Sequence, residues 1–144
     1  MYQKKNMNRG LISQNTRGVV NMGVASENLS KIIEKMNTIP KAQTVFVTNI
    51  AGKDINWDMK FQFNLDNEDP FYLEVKERNV KVVDGTFSNA EIIMSGDNNA
   101  IVRICKGKGD FTHAISREQI TVEKGKVMDV IRLTRTITIV LKTE

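Results

Sequence analysis

The sequence predicts an α+β fold, and three observations carry the prediction. Residues 57–65 read W-D-M-K-F-Q-F-N-L, with an apolar side chain at every second position, and Phe71 to Val75 repeats the pattern after a short turn. That period of two builds strands sharing one apolar face, most of it large: Trp57, Met59, Phe61, Phe63, Leu65, Phe71 and Leu73. On either side the apolar residues recur at helical spacing instead. Leu29, Ile32, Ile33 and Met36 precede the strands; Val130, Leu133, Ile137, Val140 and Leu141 follow them.

Taken in order, the first helix has Ser26 as its candidate N-cap and ends at Asn37 and Pro40. A second helical stretch, interrupted by Gly10, Gly18 and Gly23, is read upstream between Leu11 and Val24. Thr44 to Val47 is short and β-branched and reads as a strand edge or as the way into the sheet. The centre is a meander: Trp57 to Leu65 and Phe71 to Lys76 are joined by the turn cluster Asp66-Asn67-Glu68-Asp69-Pro70. Glu77-Arg78-Asn79 turns the chain into a third strand, Val80 to Val83, closed by Asp84-Gly85. An apolar edge here is free to pair between copies of the chain. Ala90, Ile92 and Met94 alternate with Glu91 and Ser95 in a fourth strand.

The period then changes. Asp97 can cap a helix from about Asn98 to Lys106, with Ile101, Val102, Ile104 and Cys105 as its stripe and Gly107 and Gly109 as its stop. Asp110 can cap a short helix carrying Phe111, Ala114 and Ile115. Gln119 to Glu123 reads as a fifth strand, and Lys124-Gly125-Lys126 as a turn. Met128 to Lys142 fits a helix, although Thr136-Ile137-Thr138-Ile139 suits a strand equally well. Asp129 near the start and Lys142 at the end favour the helix through its macrodipole.

A chain of 144 residues makes one domain, here with an arm. Lys4, Lys5, Arg9 and Arg17 lie in residues 1–26, which contain no acid; the other 17 basic residues balance 17 acidic ones. The net charge of +4 therefore belongs to the arm, and the body lacks the basic excess of a nucleic-acid binder. The arm reads either as a basic extension or, being acid-poor with Ser, Asn and Arg, as an organellar presequence. A single cysteine, Cys105, excludes an internal disulfide and fits a reducing compartment. The expected location is cytoplasmic, or an organelle if the arm is a targeting segment. No apolar run reaches the ~18 residues of a membrane-spanning helix.

Catalytic residue types are sparse. His113 is the only histidine, and Asp110, three residues away, is equally placed to cap the helix. Cys105 sits in an apolar stripe, which suits an inert core thiol better than a nucleophile. One histidine and one cysteine do not make a zinc site. Lys106 and Lys108 with their glycines lack Walker spacing and follow a helix rather than a strand. Arg132, Arg135 and Lys142 give the terminal helix a basic side and an apolar side, so that it can face an anionic membrane, cover the apolar sheet face or meet solvent. Met59, Met94 and Met128 fall on or near the apolar sheet face, where unbranched thioethers adapt to irregular shapes.

From Trp57 onward, over about two-thirds of the chain, the order of parts resembles the sterol carrier protein two family of lipid-binding domains. The carriers of the resemblance are F-Q-F-N-L and F-Y-L-E-V, then Ala90-Glu91-Ile92-Ile93-Met94, then Asp97, Gly107, Asp110 with Ala114, and finally Ile120-x-Val122, a glycine turn and a terminal helix. The chain departs from the pattern at Glu118, where glycine usually precedes the fifth strand, and at Arg78-Asn79, where glycine is common. The resemblance implies a five-stranded, mostly antiparallel sheet with helices covering one face, in a domain of residues 27–144. It also implies a tunnel for a lipid or fatty acyl ligand between sheet and helices.

On that basis Phe61, Phe63, Phe71 and Leu73 are expected to floor the site, Ile92 and Met94 to line it as well, Ile101, Val102, Cys105 and Phe111 to wall it, and Ile131 to cover it. Binding or transfer without catalysis is the expected function, with no cofactor, no metal and no nucleic-acid partner. The alternative is an accessory subunit of an enzyme acting on lipid or quinone precursors, and a transient membrane surface is a further expected partner.

Overall fold

The computed structural model describes residues 23–143. Most of the basic arm, and the upstream helix read around residues 11–24, lie outside them, although Val24 opens the first helix. Helix α1 (Val24–Met36) leads through a short α2 (Pro40–Gln43) and a 3₁₀ turn (Thr44–Phe46) into a hairpin of β1 (Val47–Ile50) and β2 (Lys53–Asn56). Five more strands follow: β3 (Met59–Leu65), β4 (Phe71–Lys76), β5 (Asn79–Asp84), β6 (Ile92–Gly96) and β7 (Ile120–Lys124). Helices α3 (Asn98–Cys105) and α4 (Phe111–Ser116) separate β6 from β7, and α5 (Val127–Thr143) closes the chain.

The main sheet has the order β5-β4-β3-β6-β7. Only the β3–β6 pair is parallel, so the expected five-stranded, mostly antiparallel sheet is present. The meander is confined to β3, β4 and β5; the chain then crosses the sheet to place β6 beside β3. Along β3 and β4 every second residue is buried on the helix side: Phe61, Phe63 and Leu65, then Phe71, Leu73 and Val75. This alternation and the stripe Leu29, Ile32, Ile33 and Met36 of α1 meet in one core.

Several boundaries differ from the sequence reading, each for a local reason. Ser26 does not cap α1; it lies buried inside the helix, which begins at Val24. The cap comes from the β3–β4 turn. Glu68 accepts the backbone N–H of Ala25 at 2.9 Å and that of Ser26 at 3.2 Å. Gly23 leaves room for that carboxylate, since a Cβ there would lie 2.3 Å from Glu68 Oε2. Thr44 is in the 3₁₀ turn rather than a strand, and β1 belongs to a separate two-stranded sheet. Ala51 and Gly52, with φ of 53° and 81°, form its tight turn. Strand β3 starts at Met59, not Trp57, because the Trp57 N–H is already committed to the Phe46 carbonyl at 2.8 Å.

The β5 edge does not offer a free ladder throughout. The Asn37 side chain donates to the Val80 carbonyl at 2.8 Å and accepts the Val80 N–H at 2.9 Å, covering one rung as a strand would.

The sheet's outer face has its own fixed point. Gln62 is 1% exposed although it points away from the core. Its Oε1 accepts the Phe87 N–H at 2.7 Å, and its Nε2 donates to the Phe71 carbonyl at 3.1 Å. These bonds hold the β5–β6 crossover down, with Phe87 packed 5.5 Å from the Tyr72 ring and 4.8 Å from Lys60 Nζ. Beside it Glu74 pairs with Lys81 at 3.2 Å and Lys60 at 3.4 Å, and these lysines, Lys81 foremost, hold its carboxyl below the usual range.

Candidate functional site

Strand register assembles the floor. Leu73, Phe61 and Ile92 stand side by side across β4, β3 and β6, and Val82 of β5 extends this row. The next row runs Phe71, Phe63, Met94 and Val122. Phe63 and Phe71 stack with centroids 5.0 Å apart, and Phe111 of α4 reaches down to within 6.4 Å of the Phe63 ring. The residues predicted for the floor thus form one continuous buried layer.

The wall residues divide by helical phase. Ile101 and Cys105, four residues apart, face the core with Ile104, whereas Val102 is turned aside and half-buried. Asp97 caps α3 by accepting the Asn99 N–H at 2.9 Å, which fixes this phase. Burial pushes the Cys105 thiol up to about 12, so it remains protonated and unreactive at neutral pH. On α5 the buried stripe is Val130, Leu133, Ile137 and Val140; Ile131 sits beside it, half-buried. Among the candidate binding residues only Val102 and Ile131 are not buried.

Two parts of this layer were not anticipated. Helix α1 supplies Leu29, Ile32, Ile33 and Met36, a stripe visible in the sequence whose place against α3 and β5 is set by the Glu68 cap and the Asn37–Val80 bonds. Phe46 stacks on Trp57 at 6.1 Å, and Trp57 in turn lies 6.0 Å from Phe61. Arg132 lies over the Trp57 ring at 4.6 Å and donates to the Val45 carbonyl at 3.0 Å. Its charge is therefore spent on the protein rather than on an outer basic face. Met128, by contrast, is 71% exposed and does not belong to the apolar layer.

His113 is exposed on α4, 3.5 Å from Asp110, whose carboxylate caps the helix through the His113 N–H at 2.9 Å. Cys105 is buried, so no accessible thiol accompanies the histidine. Among the described residues no group of His, Cys, Asp and Glu is arranged to hold a metal ion, and no helix is long and apolar enough to cross a membrane.

No protein-family model and no curated protein matches the chain. Solved structures do. A conserved hypothetical protein, TT1886, from Thermus thermophilus superposes with a TM-score of 0.56 at 14% identity, over 88% of this chain and 95% of that one. Sterol carrier protein-2 from Aedes aegypti, solved in complex with the C16 fatty acid palmitate, gives 0.55 at 15% identity, over 81% and 96%. A ubiquinone synthesis protein, UbiJ-SCP2, gives 0.57 at 11% identity, over 83% and 96%. At these identities the likeness concerns the backbone, and through it the chain is placed by structure: it has the sterol carrier protein 2 fold.

Proposed function

We propose that the chain binds or transfers a long apolar ligand, a fatty acyl or similar lipid, between its sheet and helices without covalent chemistry. The observation that carries this reading is the continuous aromatic and aliphatic floor under a helical cover, in a fold that a palmitate-bound protein shares. Phe61, Phe63, Phe71, Leu73, Ile92 and Met94 are the proposed floor. Ile101, Val102, Cys105 and Phe111 are the wall, and Ile131, half-buried beside the core stripe of α5, is the lid. Each buried methylene of a ligand gains roughly 0.8 kcal/mol, so about ten of them supply roughly 8 kcal/mol to offset the cost of association with few hydrogen bonds. This explains how a binding protein can lack a polar signature.

Native mass spectrometry of gently purified protein tests the proposal, with added lipid mass expected. Trp57, the only tryptophan, lies 6.0 Å from Phe61 and should report a palmitate titration as a change in emission. Absence of both signals rejects the reading.

A second reading is an accessory subunit of an enzyme acting on lipid or quinone precursors, favoured by the likeness to UbiJ-SCP2. Deleting residues 1–22, which leaves α1 and its Glu68 cap in place, separates the two. Loss of a co-purifying enzyme with lipid binding retained supports the accessory role; loss of neither partner nor lipid counts against it.

A further inference from the structure

A pocket of about 160 Å³ opens between α3, α4 and the residues entering β7, outside the apolar layer. Arg103, Lys108, Arg117 and His113 line it, with Asp110 as its one carboxylate. That carboxylate is already engaged by the His113 N–H and lies 3.5 Å from His113 Nδ1. Arg103 is held at one wall: its Nη2 donates to Gln119 Oε1 at 3.3 Å and lies 3.9 Å from Asp97 Oδ2. A guanidinium carries five N–H donors, so the others remain available to a ligand. The backbone N–H of Lys108 donates to the Arg103 carbonyl at 2.9 Å, which ties the lysine-bearing turn to α3. Among the described residues no carboxylate lies within 4.0 Å of the Lys108 or Arg117 side chain.

We propose that this pocket is an anion site for a single phosphate group carried by a soluble phosphate monoester or by a lipid headgroup. Three permanent cations on three walls suit a tetrahedral dianion, whose oxygens accept from several directions at once, and arginine and lysine are the side chains that make such bonds. The size agrees: pockets for drug-sized ligands run to about 300–1,000 Å³, and about half the lower bound suits one anionic group. Ile104 and Ala114 form a buried apolar base, and the charged side chains rise from it at the solvent-facing rim.

The site does not depend on hydrocarbon binding, because its side chains are distinct from the proposed floor, wall and lid. The test compares the unmodified chain with Lys108→Gln/Arg117→Gln, two exposed positions whose side chains pair with no carboxylate among the described residues. Methyl phosphate is titrated while the amide resonances of Gly107 and Gly109 are followed. Separately, co-sedimentation is measured with phosphatidylcholine vesicles with and without phosphatidic acid. A saturable shift with methyl phosphate, weakened about tenfold or more in the double variant, identifies a soluble phosphate ester as the ligand source. Variant-sensitive binding to phosphatidic acid vesicles alone identifies a lipid headgroup. No binding in either arm, or binding that the double variant retains in full, overturns the proposal. Palmitate titration at Trp57 is expected to be the same in both proteins, so failure of the apolar-ligand reading is read independently.

Discussion

The carboxylate of Glu68 accepts the backbone N–H of Ala25 at 2.9 Å across a sequence separation of 43 residues. It takes the Ser26 N–H as well, and its Oε1 also accepts from Asn98 Nδ2 at 3.1 Å. One side chain in a strand turn therefore ties the start of α1 to the start of α3, and with them the helical cover to the sheet. Glu68→Ala should cost about 1–2 kcal/mol, the loss of a helix cap. Gly23→Ala should cost a similar amount by displacing the same carboxylate. Urea midpoints of both variants, and of the double, are expected to show that the effects do not add.

Gln62 is buried on the outer face of the sheet and bonds the crossover at Phe87. Gln62→Leu leaves the Phe87 N–H and the Phe71 carbonyl each short of a partner, at about 1–3 kcal/mol in total. Hydrogen exchange should quicken at Phe87 while the amides of β3 and β4 keep their protection. Uniform loss across the sheet would assign Gln62 to the core instead.

Cys105 gives a pH dependence of known sign. Its folded-state value is raised from 9.0 to about 12, so the thiolate forms in the unfolded chain well before it forms in the folded one. The stabilisation is complete below pH 9 and is lost as pH rises toward 12. Between about pH 9 and about pH 10 the loss is about 1 kcal/mol. Cys105→Ala removes this slope, so the stability gap between the two proteins should narrow by that amount. A thiol reagent should be slow at neutral pH until denaturant is added.

Glu118 adopts φ of 62°, a left-handed conformation that costs an L-residue roughly 1–2 kcal/mol and a glycine almost nothing. Glu118→Gly should therefore raise stability by about 0.5–1 kcal/mol, the strain relieved less the entropy that glycine loses on folding. Thermal unfolding measures it; a fall in midpoint would show that the Glu118 side chain contributes more than its backbone costs.

Met94 stands in the floor between Phe63 and Val122. Met94→Ala should cost about 2–5 kcal/mol by leaving a cavity. If hydrocarbon occupies this layer, saturating palmitate should restore more stability to the variant than to the parent chain, since a ligand stabilises by mass action on the native state. Equal responses would place palmitate elsewhere.

The two departures from the sterol-carrier pattern were legible as residues but not as geometry. Arg78 and Glu118 stand where glycine was expected, and both take positive φ, 71° and 62°. The backbone thus keeps the turns that glycine would favour and carries the strain, a result no composition could show. The basic pocket illustrates a different limit. Arg103 and Arg117 drew no attention in the sequence because they lie on separate helical segments, and only the α3–α4 turn brings them to one cavity.

What the sequence by itself determined was whatever depends on periodicity. Alternation placed Phe61, Phe63, Phe71 and Leu73 on one sheet face, and helical spacing placed Leu29, Ile32, Ile33 and Met36 on one stripe, because side-chain direction follows directly from backbone repeat. The tertiary structure alone decided what depends on partners distant in the chain. The parallel placement of β6 beside β3, the Glu68 cap, the Asn37 cover on Val80 and the Arg132–Trp57 contact each satisfy a polar or charged group with one far along the chain. Local propensity carries no information about such a partner until the chain has closed.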